Sequence, residues 1–135
     1  MRWILSVPFF AYLLVLANIT MLTGPVDNSM INVILFEFSL PSQREIIVTI
    51  SDAFILASVF SLYIETFKAT RTSVSSIIDH ALSLLVFVVF LIEFLIVPRL
   101  GNTTFLIITV ASLMDVVMGF TVTISTAKRD FTMGN

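Results

Sequence analysis

Asp115 is the residue whose setting asks most of it. It stands near the middle of the apolar run Thr103–Thr126, between Met114 and Val116. In a helix rising about 1.5 Å per residue, that is roughly 16–18 Å from either end. An ionised carboxylate at the centre of a bilayer costs at least about 2.5–3.5 kcal/mol. The group therefore has to carry a proton, accept hydrogen bonds from hydroxyls, meet a donor on another chain, or line a wet path. No Lys or Arg of this sequence is expected at its depth. Asp52 and Glu93 raise the same question less sharply. Asp52 is expected nearly two turns inside the run 46–67. Glu93 is about one turn from the end of the run 77–97, with Arg99 within reach. For both, packing and function stay open.

The other ionisable groups have simpler explanations. Glu65 precedes Lys68 by three residues, the spacing of a helical ion pair. Asp79 is third after Ser76, the spacing of a capping box, and an anion suits a helix start. His80 is expected beside it as a hydrogen-bonded surface residue that titrates near neutral pH.

Hydroxyl and small residues recur beside these acids. Thr109, Ser112, Gly119, Thr123 and Thr126 share one face of the fourth run, with Asp115 next to it. On the second run Ser51, Ser58 and Glu65 recur every seventh residue, with Ser61 between the last two. Two helices with polar seams result. Such seams are ordinary contacts between membrane helices, and they also suit a partner or ion site built on Asp115, Asp52, Glu93, Ser112 and Ser58.

Four apolar runs must position these groups: 3–22, 46–67, 77–97 and 103–126. Each is long enough to cross a hydrocarbon core of about 30 Å as a helix, and four segments of this length cannot close a barrel. The expected fold is all-α, a single four-helix transmembrane domain over 1–135. Bulk composition agrees. The hydrophobic fraction is 58% and charged residues are 12%, with a mean hydropathy of +1.07. So short a chain cannot hide that much apolar surface from water. The first run has the look of a secretory leader, with Arg2 before it and Val15-Leu16-Ala17 within it. It continues through Ile19–Leu22 to spanning length, so an uncleaved helix is expected.

The remaining signals set boundaries and sides. Ser42-Gln43-Arg44-Glu45 reads as a capping box opening the second span, and Ser76 to Asp79 as one opening the third. Gly24-Pro25 stops the first span, and Pro98 with Gly101 the third. Arg2, Lys68, Arg71, Lys128 and Arg129 fall on one side and Arg44 and Arg99 on the other. By the positive-inside rule both termini are cytoplasmic and the 24–45 loop is outside. That loop turns apolar over Met30–Leu40. Phe36 and Phe38 flank Glu37 in alternation, the pattern of a short extended segment at the membrane interface or against a partner.

Several classes of function are excluded. A formal charge of -2 with no basic stripe gives nucleic acid no foothold. There is no cysteine and one histidine, so thiolate chemistry and a histidine metal site within one chain are ruled out. No glycine-rich phosphate loop occurs, which removes nucleotides. With the lone histidine near one edge, no catalytic triad can form, and no enzyme activity is expected. No cofactor is expected either, although a lipid or pigment held by apolar contacts leaves no motif.

Two functional expectations follow. The first is a small accessory subunit of a larger membrane complex, packing through its polar seams and through Phe36, Glu37 and Phe38. The second is an oligomeric proton- or cation-conducting protein using Asp52, Asp115 and Glu93. Partners would be lipid and other integral membrane subunits or further copies of the chain. The compact loops point to a bacterial inner membrane.

Overall fold

The computed structural model describes residues 7–70 and 74–133, the side chains of 74–77, 126–127 and 129–133 excepted. It is mostly helical. Helix α1 spans Phe9–Thr23, α2 Ile50–Ala69, α3 Val74–Ile96 and α4 Thr103–Met133. Three stretches are long and apolar enough to cross a membrane: Ile50–Ala69, Ile78–Ile96 and Thr103–Ser125. The fourth, α1, has 15 residues, about 22 Å of helix. It starts at Phe9, with Pro8 before it, rather than at residue 3. Proline suits that place, having no N–H to leave unpaired.

The segment between α1 and α2 departs from an all-α fold. Strands β1 (Ile34–Ser39) and β2 (Glu45–Thr49) pair antiparallel. The extended reading of Phe36–Phe38 is met, but its partner strand was read as the start of a span. The run Ile46-Ile47-Val48 does not alternate, and a short β-branched stretch suits a strand as well as a buried helix. The turn joining the strands places Pro41 after Leu40, and Gln43 N–H donates to Leu40 O at 2.9 Å. Gln43 takes a left-handed φ of 62°. Ser42 is thus a turn residue and opens no helix. The capping box of α2 is Thr49 with Asp52. Asp52 accepts from Thr49 N–H at 2.9 Å and from its hydroxyl at 2.7 Å, and its own N–H returns to Thr49 at 3.3 Å. The second expected box fails as well. α3 is already helical at Val74, so Ser76 lies inside it, and the Ser76 side chain is outside the described residues.

The helices pack with polar groups inside and apolar groups out. Ser58, Ser61, Glu65, His80, Ser83, Thr104, Thr109, Ser112 and Asp115 are all buried. Leu95, Ile96, Phe60 and Tyr63 are each more than 60% exposed. Water selects the reverse arrangement; hydrocarbon selects this one. An apolar core runs along α1 toward the hairpin end, joining Phe10, Leu13, Ala17 and Met21 to Phe54, Phe90 and Phe105. The rings of Phe90 and Phe105 lie 5.4 Å apart.

Arg99 closes that end. Its guanidinium donates to the carbonyls of Leu22, Gly24 and Pro25, which a helix C-terminus leaves without partners. This corrects the expectation that Arg99 reaches Glu93. The guanidinium is occupied by the end of α1, and Glu93 instead accepts from Asn18 Nδ2 at 2.7 Å. Asn102 Oδ1 caps α4 by accepting from Phe105 N–H at 2.9 Å.

Candidate functional site

The site begins with α2 and α4 side by side. Ser51 and Thr104 hydroxyls lie 2.6 Å apart at the hairpin end. At the far end Glu65 and Asp115 face one cavity, so the two helices run parallel. The seventh-residue spacing of Ser51, Ser58 and Glu65 turns all three toward α4. Along that seam Ser58 donates to Ile55 O at 2.7 Å and Thr109 to Phe105 O at 2.7 Å. These hydroxyls satisfy themselves on their own helices. Ser58 and Ser112 are each only 1% exposed in this chain.

Where α2 ends, three helices converge. Glu65, Lys68 and Ala69 from α2, Asp79, His80 and Ser83 from α3, and Asp115 from α4 line a cavity with room for about one water molecule. Glu65 is buried and pairs with Lys68 at 3.0 Å. Its Oε1 also accepts the Phe9 N–H at 2.7 Å, an otherwise orphaned donor of the first turn of α1. Lys68 lies 5.8 Å above the Phe9 ring, a cation–π contact that holds the ammonium over the same spot. Asp115 is 6% exposed and shares the cavity wall with Ser83.

His80 is buried, which corrects its reading as a surface residue. Its Nε2 lies 2.7 Å from the Thr123 hydroxyl, and its ring lies 5.7 Å from that of Phe120. Gly119 makes this arrangement fit. A Cβ at Gly119 would come within 2.6 Å of His80 Nδ1, closer than real contacts allow. Asp79 stands in the second turn of α3 and lines the cavity, so it is no cap residue. Lys68 reaches this cavity too, so Asp115 does share surroundings with a cation of its own chain, contrary to expectation.

The other anticipated residues lie elsewhere. Asp52 belongs to the cap of α2 and Glu93 to the α1–α3 contact with Asn18. Phe36, Glu37 and Phe38 are exposed on the hairpin. Asp115 alone of the anticipated acids joins the cluster. Glu65, Asp79, His80, Ser83 and Gly119 were not anticipated as one site. The available signal was the placement of Glu65-x-x-Lys68 and Asp79-His80 at adjoining ends of consecutive spans, levels that a short 70–73 link brings together. Among the described residues no group of three or more His, Asp or Glu side chains is placed to hold a metal ion.

Comparison with protein-family models, curated proteins and solved structures finds no match.

Proposed function

We propose that the chain is an integral membrane protein that binds and passes on protons at the Glu65–His80–Asp115 cluster. The observation that carries this reading is the convergence of three carboxyl groups, one imidazole and a single ammonium on one cavity inside an apolar bundle. Ionisable groups so placed are costly and mark ion pathways. Lys68 balances one carboxylate, Glu65. Asp115 then gains most by taking a proton, which removes its charge from hydrocarbon. His80 is held at the adjoining turn, and imidazole can both accept and donate a proton near neutral pH. A cavity for about one water fits a proton relay better than a hydrated ion or an organic substrate.

The cluster lies toward the basic side of the chain, the cytoplasmic side by the positive-inside rule. That rule also supports cytoplasmic termini and an external hairpin. α1 supports a fourth crossing. It runs from Phe9 beside Glu65 to Leu22 beside Arg99, the same depth that α2 covers. A bacterial inner membrane, which sustains a proton gradient, suits this reading.

The test is proton flux into vesicles holding the purified protein under an imposed potential. Asp115→Asn should lower the flux about tenfold or more, while Asp52→Asn and Glu93→Gln leave it unchanged. Flux from the unaltered protein no faster than from empty vesicles would end the proposal.

A second reading, an accessory subunit, is favoured by a different feature. Leu56, Val59, Phe60, Tyr63 and Phe67 make an exposed stripe along α2, with Tyr63 and Phe67 rings 4.9 Å apart. A stripe at this spacing suits a neighbouring helix. Gentle solubilisation followed by identification of co-purifying chains tests it: unrelated membrane proteins in fixed ratio support a subunit, and a pure homo-oligomer opposes it.

A further inference from the structure

We infer that the hairpin is a lipid-binding ribbon, seated with one face in the interface of the outer leaflet. The pairing of Phe36 with Val48 and of Phe38 with Ile46 puts these four side chains on one face. The pairs Glu37 with Ile47 and Ser39 with Glu45 take the other. One face is wholly apolar and the other carries both acids of the strands. The Phe36 and Phe38 rings stack 6.2 Å apart, yet the two residues remain 56% and 47% exposed. A two-stranded ribbon is marginal in water, so this face calls for cover.

Three observations favour lipid as the cover. The ribbon has no linker: Thr49 ends β2 and is the N-cap of α2, and Ile50 N–H donates to Val33 O at 3.0 Å. The strands therefore start at the level where the span leaves hydrocarbon. Further apolar residues beside the strands, Met30, Val33 and Leu40, are also exposed, and Val26 is 82% exposed. The face is also small. Its four side chains offer on the order of 300 Å², well under the roughly 800 Å² that each partner contributes to a stable protein interface. An interface of headgroups and upper acyl chains needs no such minimum and accepts an amphipathic element lying in its plane.

The experiment places one tryptophan at a time in a Trp3→Phe background, which otherwise lacks tryptophan. The protein is reconstituted in phosphatidylcholine–phosphatidylglycerol vesicles with lipids brominated near the headgroup end of the acyl chains. Phe36→Trp and Phe38→Trp should each be quenched at least twofold more than Glu37→Trp. Equal quenching of both faces would overturn the inference. So would blue-shifted, unquenched emission at residues 36 and 38, the sign that protein covers the face instead. Both aromatic exchanges are conservative, and either one alone decides the outcome.

Discussion

His80 and Glu93 each rest on a neighbour that can be changed. Gly119→Ala would drive a methyl group into the His80 ring, so the ring must turn away and its approach to Thr123 must open. Ring resonances of His80 should shift and proton flux should fall, while the helical content stays constant. Unchanged resonances would show that the ring does not rest on Gly119. Asn18→Leu would leave the Glu93 carboxylate without its donor at a half-buried position, a loss of about 1–3 kcal/mol. It should lower the thermal midpoint in detergent and spare the flux, which separates Glu93 from the proton site. In the loop after α1, Asp27 accepts from Ser29 N–H at 3.1 Å, and the hydrogen bonds from Ser29 hold its carboxyl below the usual range. A depressed folded-state value means stabilisation that is present above the ordinary carboxylate range and lost as the pH falls through the folded one. Asp27→Asn should therefore flatten the acid limb of a stability profile.

Helices and strands were legible in the sequence to different degrees. The bodies of α2, α3 and α4 follow from long apolar runs that lipid forces into helices. The start of α4 at Thr103 followed as well, but that of α2 did not, because it is set by a local competition. Ser42-x-x-Glu45 and Thr49-x-x-Asp52 both have cap spacing, and the Pro41–Gln43 turn with the pairing of β1 and β2 decides for the second. Thr49→Ala should cost about 1 kcal/mol, the usual worth of an N-cap, measured by thermal unfolding in detergent with flux retained. A loss several times larger would show that the cap also secures the hairpin. Asp115 was legible as a site residue, since a carboxylate amid apolar neighbours stands out in any reading. Glu65, Asp79 and His80 were not, since each has a sufficient local explanation as an ion pair, a cap or a surface group. Only the packing of α2, α3 and α4 shows that the three local explanations meet in one place.

Taken whole, the molecule turns large apolar side chains outward around an interior that holds both an apolar core and a cluster of ionisable groups, with an amphipathic ribbon at the end away from that cluster. Its sidedness is directly testable because the chain has no cysteine. Ser39→Cys should react with a membrane-impermeant thiol reagent from outside intact cells, and Lys128→Cys only after the membrane is opened. Labelling of both from the same side would reverse or break the topology. The proposed proton relay stands or falls on a proton exchanging at Asp115 inside the bundle. Infrared difference spectroscopy of the protein in lipid, stepped across about pH 5 to 8 where histidine changes charge, reads carboxyl protonation directly. A protonated-carboxyl band should change with pH and disappear in Asp115→Asn. A band that survives that substitution unchanged, or no carboxyl change anywhere in the range, would contradict it.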